Sequence, residues 1–433
     1  MLCLALGACG VDNSSSDGGE VDLSGSGGSG GAGGTGGSGG TGGSGGTGGT
    51  GGSSGDMAVI PGSPAHVFTT KLGATHTGHF LVGMGNDGTN GGNDDAYNLG
   101  VTLDLHYHYI VGLSTEGGWP TWNANPDYVG VRMREAKKHG QIPMFTYYAM
   151  AAHGDGNLTT LADAAFMTTY FTDFKQALAT IATEGGPVVL HHEPDFWGYT
   201  QKDGTDPTKR VVLVSKSGAT ECAAEPDTLV GFGHCLVAMV HTRAPNALIG
   251  FHASPFSSNM DIDRNTTPGF NVVAEANKTV AFFKKVGLDQ GAFVASDMSD
   301  RDAGCYEANH QPMCTCDKGG GTTCLPVYYW DESNTKLPHF HQRLQWDKAI
   351  SDGLKLPVIW WQVPFGEPSA TPGGTVGAFR DNRSHYFFAH VDEWAQAGGV
   401  GIVYGTGAGD QTYLPTSFKT AVKAYFAAPY ALP

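Results

Sequence analysis

Charged side chains are scarce in this chain, 15% of 433 residues, and nowhere do its Lys and Arg cluster. The 25 basic against 41 acidic residues give a formal charge of −16. A phosphate backbone would be repelled by such a surface, which argues against nucleic-acid binding. No apolar run approaches the roughly 20 residues of a membrane span, which excludes a multi-spanning membrane protein. A dinucleotide fingerprint is also missing. Gly83-Met84-Gly85-Asn86-Asp87-Gly88 does not fit G-x-G-x-x-G at the start of a helix, and reads as a turn-rich loop. Acidity by itself says nothing about cationic partners, because most acidic proteins are simply soluble.

Glycine, by contrast, is abundant at 66 residues, many of them in one stretch. Residues 24–55 are almost pure Gly, Ser and Thr. A segment with nothing to bury cannot offset the entropy of ordering, so 10–60 reads as a random-coil tether reaching roughly 30 Å. Ahead of it, Leu6-Gly7-Ala8-Cys9 resembles the lipobox of bacterial lipoprotein signals, although the usual basic n-region is missing from 1–9. That resemblance implies export, lipidation at Cys9, and a place in the cell envelope or outside the cell, with membrane contact only through the lipid.

Six further cysteines lie in the domain at 61–433, and an even number in an exported protein reads as disulfides. Cys222 and Cys235 would close a short loop. Cys305, Cys314, Cys316 and Cys324 crowd one insertion, where locality favours two bridges. Cys314-Thr315-Cys316 is too tight for the usual C-x₂₋₄-C zinc knuckle.

Strand-like and helix-like stretches alternate eight times. The apolar or β-branched runs are 79–83, 105–111, 143–148, 187–191, 247–251, 292–295, 357–361 and 400–404. Unbroken runs of this kind fit strands covered on both faces of a parallel sheet. Helical spacing follows at 127–139, 162–183, 227–244, 273–286, 339–354, 381–397 and 417–427. Eight such units predict an α/β chain folded as a single (β/α)8 TIM barrel with disulfide-bearing loop insertions; an open doubly wound sheet is the alternative.

In a barrel, chemistry sits where strands end. Strand four ends in His191-His192-Glu193-Pro194-Asp195-Phe196-Trp197-Gly198-Tyr199. A carboxyl group flanked by aromatics at a barrel mouth is partly desolvated, which raises its pKa toward that of a general acid. The pattern resembles the clan-A glycoside hydrolases, whose acid/base Glu ends strand four, and His192-Glu193 is most similar to the mannanase-type branch. The resemblance implies Glu193 as proton donor. It stops at strand seven, where the family's nucleophilic Glu is replaced by Gln in Trp360-Trp361-Gln362. Strand six offers a substitute in Asp297-Met298-Ser299-Asp300-Arg301-Asp302, with Asp300 or Asp297 as base or nucleophile. Strands four and six are not neighbours, so a separation that admits water, roughly 6.5–9.5 Å, is expected.

Sugars need flat apolar faces beside polar edges. Trp119, Trp122, Trp197, Tyr199 and Trp361 stand at predicted strand ends and read as platforms. Asp195, His192, His252, Gln362 and Arg383 read as polar binding groups. His106-Tyr107-His108 mimics the H-x-H of metal-dependent amidohydrolases but lies inside strand two, not at the end of strand one. The domain also resembles a set of exported bacterial proteins carrying H-x-E-P-D-x-W-G-Y and D-R-D-A-G segments. Together these readings predict an exported, monomeric glycoside hydrolase that cleaves a polysaccharide without a cofactor. A non-catalytic carbohydrate-binding barrel and a metal-dependent hydrolase are the alternatives.

Overall fold

The computed structural model describes residues 62–85, 95–123, 127–154, 156–318, 320–325, 330–368 and 373–432. Cys9 and the tether at 10–60 lie outside them. Eight parallel strands close on themselves: β1 (Leu81–Gly85), β2 (Leu105–Val111), β3 (Ile142–Tyr148), β4 (Val188–His192), β5 (Ala247–His252), β6 (Phe293–Ser296), β7 (Val358–Val363) and β8 (Gly399–Tyr404). Each strand pairs with its neighbours in sequence, and β8 pairs with β1. The chain is therefore a (β/α)8 barrel.

The strands are buried on both sides because consecutive side chains enter different layers. Phe145, Tyr147, Leu190, Ile249 and Phe251 pack outward against Phe171 and Phe174 of α3 (Ala164–Glu184) and Phe232 of α5 (Leu229–Arg243). Met144, Val189 and Leu248, one residue away on the same strands, join the other large cluster. The outer layer is completed by α2 (Tyr128–Lys138), α6 (Val272–Lys285), α8 (Phe340–Leu354) and α11 (Thr416–Ala427). Among the described residues no helix is long and apolar enough to cross a membrane.

Three local departures have physical causes. Strand one starts two residues later than its apolar run suggests and continues through Gly83 and Gly85. A Cβ at Gly83 would sit 2.5 Å from the Leu105 carbonyl oxygen, and one at Gly85 would sit 2.6 Å from the Tyr107 ring. Those glycines permit close strand approach rather than a turn. Ahead of β1, α1 (Pro64–Leu72) is capped by the Ser63 hydroxyl and sets Phe68 edge-on to Phe293 at 5.6 Å. The helix expected at 381–397 is two, α9 (Arg383–Ala389) and α10 (Val391–Gln396), because His390 leaves helical geometry (φ −136°) and stacks on Tyr386 at 4.3 Å. Short helices α4 (Phe196–Lys202) and α7 (Ala303–Glu307) follow β4 and β6. The disulfides are Cys222–Cys235, Cys305–Cys314 and Cys316–Cys324, the last two inside the insertion as locality favoured.

Candidate active site

At the carboxyl ends of β3 to β6 a single file of polar side chains runs from strand to strand. Thr146 Oγ1 lies 3.2 Å from His191 Nδ1, His191 Nε2 lies 3.1 Å from His252 Nδ1, and His252 Nε2 lies 3.0 Å from Asp297 Oδ1. The other Asp297 oxygen accepts the Ser299 amide at 3.2 Å. Asp195 completes the group: one oxygen of its carboxylate, one ring nitrogen of His252 and one oxygen of Asp297 all lie within 4.8 Å of one another. Burial would raise the Asp297 pKa, but the hydrogen bond and charge of His252 outweigh it and hold the carboxyl below its ordinary value. Burial drives His191 the other way, well below the usual imidazole range, so that ring is neutral.

Backbone geometry marks the same place. Glu193 (φ 48°), Asp195 (φ 63°), Ser299 (φ 65°) and Gln362 (φ 53°) are all left-handed although none is glycine. Such residues cost on the order of 1–3 kcal/mol each and gather at functional sites. Trp361 closes one side of the group, its ring edge-on to His191 (4.8 Å), His252 (5.7 Å) and Tyr109 (5.8 Å). Trp360 points the opposite way, into the layer behind the barrel, where its indole N–H donates to Asp347 at 2.9 Å.

Glu193, the proton donor expected from the sequence, is held by the backbone. Its side chain is fully buried, with one carboxylate oxygen accepting the Ala149 amide at 3.1 Å and the other the Met150 amide at 3.2 Å. Left-handed at Glu193, the chain presents this carboxylate to two amides at the end of β3. Exchanging Glu193 for Gln leaves an amide nitrogen facing a backbone N–H. Chemical denaturation of Glu193→Gln is expected to show a loss of about 1–3 kcal/mol.

The other candidates have equally concrete surroundings. Asp300 spends both carboxylate oxygens on Arg301 Nη1 (2.8 and 2.9 Å) and is not a member of the Asp195–His252–Asp297 group. Asp302 is buried, accepts the Thr412 amide at 2.8 Å, and is pushed up to about 8 by burial and then by the charge of Asp381. Arg383 is not a ligand-binding group at the mouth. It is fully buried against Asp381 and donates to the carbonyls of Met298, Ser299 and Arg301, pinning the loop after β6. His192 faces outward between Tyr170 (2.8 Å to its hydroxyl) and Trp197 (3.3 Å to its indole nitrogen). Trp197 and Trp119 are core residues, 0% and 1% exposed, and cannot serve as platforms. Trp122 is exposed at 36% but leans on Tyr128, and Tyr199 is half-buried against Phe256.

Gln362 is present at the mouth, where its oxygen accepts the Tyr109 hydroxyl at 2.8 Å and its nitrogen donates to the Thr406 carbonyl at 3.0 Å. A carboxylate could not make the second bond, which is a reason for Gln at this strand end. His106 and His108 lie in the body of β2 and are buried; His106 Nδ1 meets the Tyr97 hydroxyl at 2.6 Å. Thr146 and Tyr109 are not expected from the sequence, and His191 is expected only as part of a strand end. Strand alternation holds the signal for His191, since it shares a face with Val189 and not with His192.

No protein-family model matches the chain, and no curated protein matches it either. Among solved structures, similar ones include a modular endo-β-1,4-mannanase from Cellulomonas fimi, 13% identical with a TM-score of 0.47 over 81% of this chain and 71% of that one. A β-mannanase from the blue mussel Mytilus edulis matches at 11% identity and TM-score 0.39, over 82% and 95%. An intracellular xylanase from Thermoanaerobacterium saccharolyticum matches at 9% and 0.41, over 83% and 93%.

Proposed function

We propose that the protein hydrolyses glycosidic bonds of a polysaccharide, using Asp195 and Asp297 as its acid and nucleophile. One observation carries this reading: two carboxylates from different strand ends meet around His252 within 4.8 Å at the mouth of a (β/α)8 barrel. Two carboxyl groups this close do not both ionise readily, so they share a proton. His252 and the Ser299 amide hold Asp297 ionised, which leaves the proton on Asp195. Asp195 is also the more open of the two chain turns, half-buried where Glu193 is sealed.

In the reaction Asp195 gives its proton to the leaving oxygen while an Asp297 oxygen attacks the anomeric carbon. A water, deprotonated by Asp195, then displaces Asp297 from the glycosyl ester and returns both groups to their starting state. The short spacing supports this two-step retaining course over direct attack by water, which needs roughly 6.5–9.5 Å. Tyr109, half-buried and stacked near Tyr148 at 6.2 Å, offers a ring beside Trp361 for a sugar face. Three disulfides fit an oxidising, exported setting, and lipid anchoring at Cys9 is part of the same proposal.

The test is reducing-end release from mannan, xylan and cellulose by the wild-type protein, alone and after dialysis against a chelator. Release from at least one polymer, unaffected by the chelator, is the expected result. Binding without release would make the chain a carbohydrate-binding barrel, and release abolished by the chelator would make it a metal-dependent hydrolase.

A further inference from the structure

We propose that Gln362 is a positioning residue for substrate: it reaches across the barrel mouth and holds the Tyr109 ring as the platform on which a sugar rests. The inference rests on the glycosidase reading and gives a task to the residue at the end of β7. The bond it makes does not join neighbours. Tyr109 belongs to β2 and Gln362 to β7, and β8 and β1 stand between them in the closed sheet. Strand alternation would send Gln362 outward with Trp360, whose indole is tied to Asp347 behind the barrel. Two irregularities turn it inward. Ile402 pairs with Trp360 and Tyr404 with Val363, so Trp361 and Gln362 together oppose the single residue Val403. Gln362 is also left-handed, at φ 53°. An extra residue in one strand bends it and re-aims a side chain, and a left-handed non-glycine residue persists only where its surroundings hold it.

The hydrogen bonds have one possible direction. The Thr406 carbonyl can only accept, so Gln362 Nε2 lies toward it at 3.0 Å and Oε1 is left facing Tyr109. That amide oxygen also only accepts, so the Tyr109 hydroxyl donates to it at 2.8 Å. Turning the amide over would set two carbonyl oxygens 3.0 Å apart. The ring at the far end of this bond is the open one of its group. Tyr107, Tyr148 and Trp361 surround Tyr109 with centroids at 5.9, 6.2 and 5.8 Å. Those three are buried, whereas Tyr109 is half-buried, so a sugar laid on this wall meets Tyr109 first. A ring fixed before binding need not be ordered by the ligand, and ordering one such side chain costs about 2- to 10-fold in affinity.

The experiment is titration calorimetry of mannohexaose, xylohexaose and cellohexaose with Asp297→Asn protein, in which turnover is suppressed. To this background Gln362→Met, Tyr109→Phe and the two together are added. Gln362→Met keeps the length of the side chain without its polar atoms, and Tyr109→Phe keeps the ring without its hydroxyl. Each is expected to weaken binding of the best hexasaccharide about 3- to 10-fold. The double variant should lose no more than the larger single one, because both remove the same bond. With Asp297 intact, Gln362→Met is expected to raise KM by the same factor and to leave kcat within about twofold. Unchanged binding in Tyr109→Phe overturns the proposal whatever Gln362→Met does, since packing alone would then hold the ring. Losses that multiply in the double variant overturn it too, as does failure of all three hexasaccharides to bind. Coupled losses in a protein that releases no sugar with Asp297 intact would keep the positioning role and reject the glycosidase reading.

Discussion

Asp297→Asn is expected to lower kcat on the best polysaccharide by about 10³-fold or more, with KM changed little. The amide cannot attack the anomeric carbon; its oxygen can still accept from His252 Nε2–H, while the bond from the Ser299 amide is lost. Asp195→Asn should behave differently, because an acid is needed only in proportion to how badly the leaving oxygen needs a proton. On the polymer, a fall of about 10²–10⁴-fold is expected. On an aryl glycoside with an acidic phenol as leaving group, the first step should lose far less. Steady-state kinetics of both variants on both substrate types check this. A drop for Asp195→Asn that ignores the leaving group would remove its role as acid.

Arg383→Leu has the largest expected effect on stability. The guanidinium is fully buried, its ε-nitrogen lies 3.0 Å from Asp381, and it donates to three carbonyls of the segment that follows Asp297. Removing it leaves the Asp381 carboxylate without its countercharge in the interior, a change that costs about 3–5 kcal/mol. Chemical denaturation should show a loss of that size. Asp381→Asn on the same background should return part of it, because the stranded charge is then gone. Activity should fall in parallel, since the loop that sets Asp297 against His252 loses its anchor.

The barrel was legible in the sequence because its signals are local. Residues 105–111 read as a strand and form β2 with the same bounds; 339–354 read as a helix, and α8 spans Phe340–Leu354. The site was legible only as a neighbourhood. His191 to Asp195 and Asp297 were picked out as strand ends, yet the division of labour among them depends on backbone angles that composition does not reveal. Glu193 is left-handed, and its carboxylate meets two backbone amides, neither of which the sequence pattern reveals. Arg383 looked like a ligand group because its partners are distant in sequence: the carbonyls of Met298 and Ser299 lie 85 and 84 residues away. Trp119 and Trp197 follow strand ends but turn inward, because short 3₁₀ and α-helical segments there fold the rings back into the core.

Mass spectrometry of the protein treated with 2-deoxy-2-fluoro glycosides of gluco, manno and xylo configuration tests the central assignment most directly, since the fluorine slows breakdown of a glycosyl ester. The account predicts one added sugar on the peptide containing Asp297, at its carboxylate, and none in Asp297→Asn. A sugar carried by Glu193 or Asp300, or product of inverted configuration with no adduct at all, would contradict it.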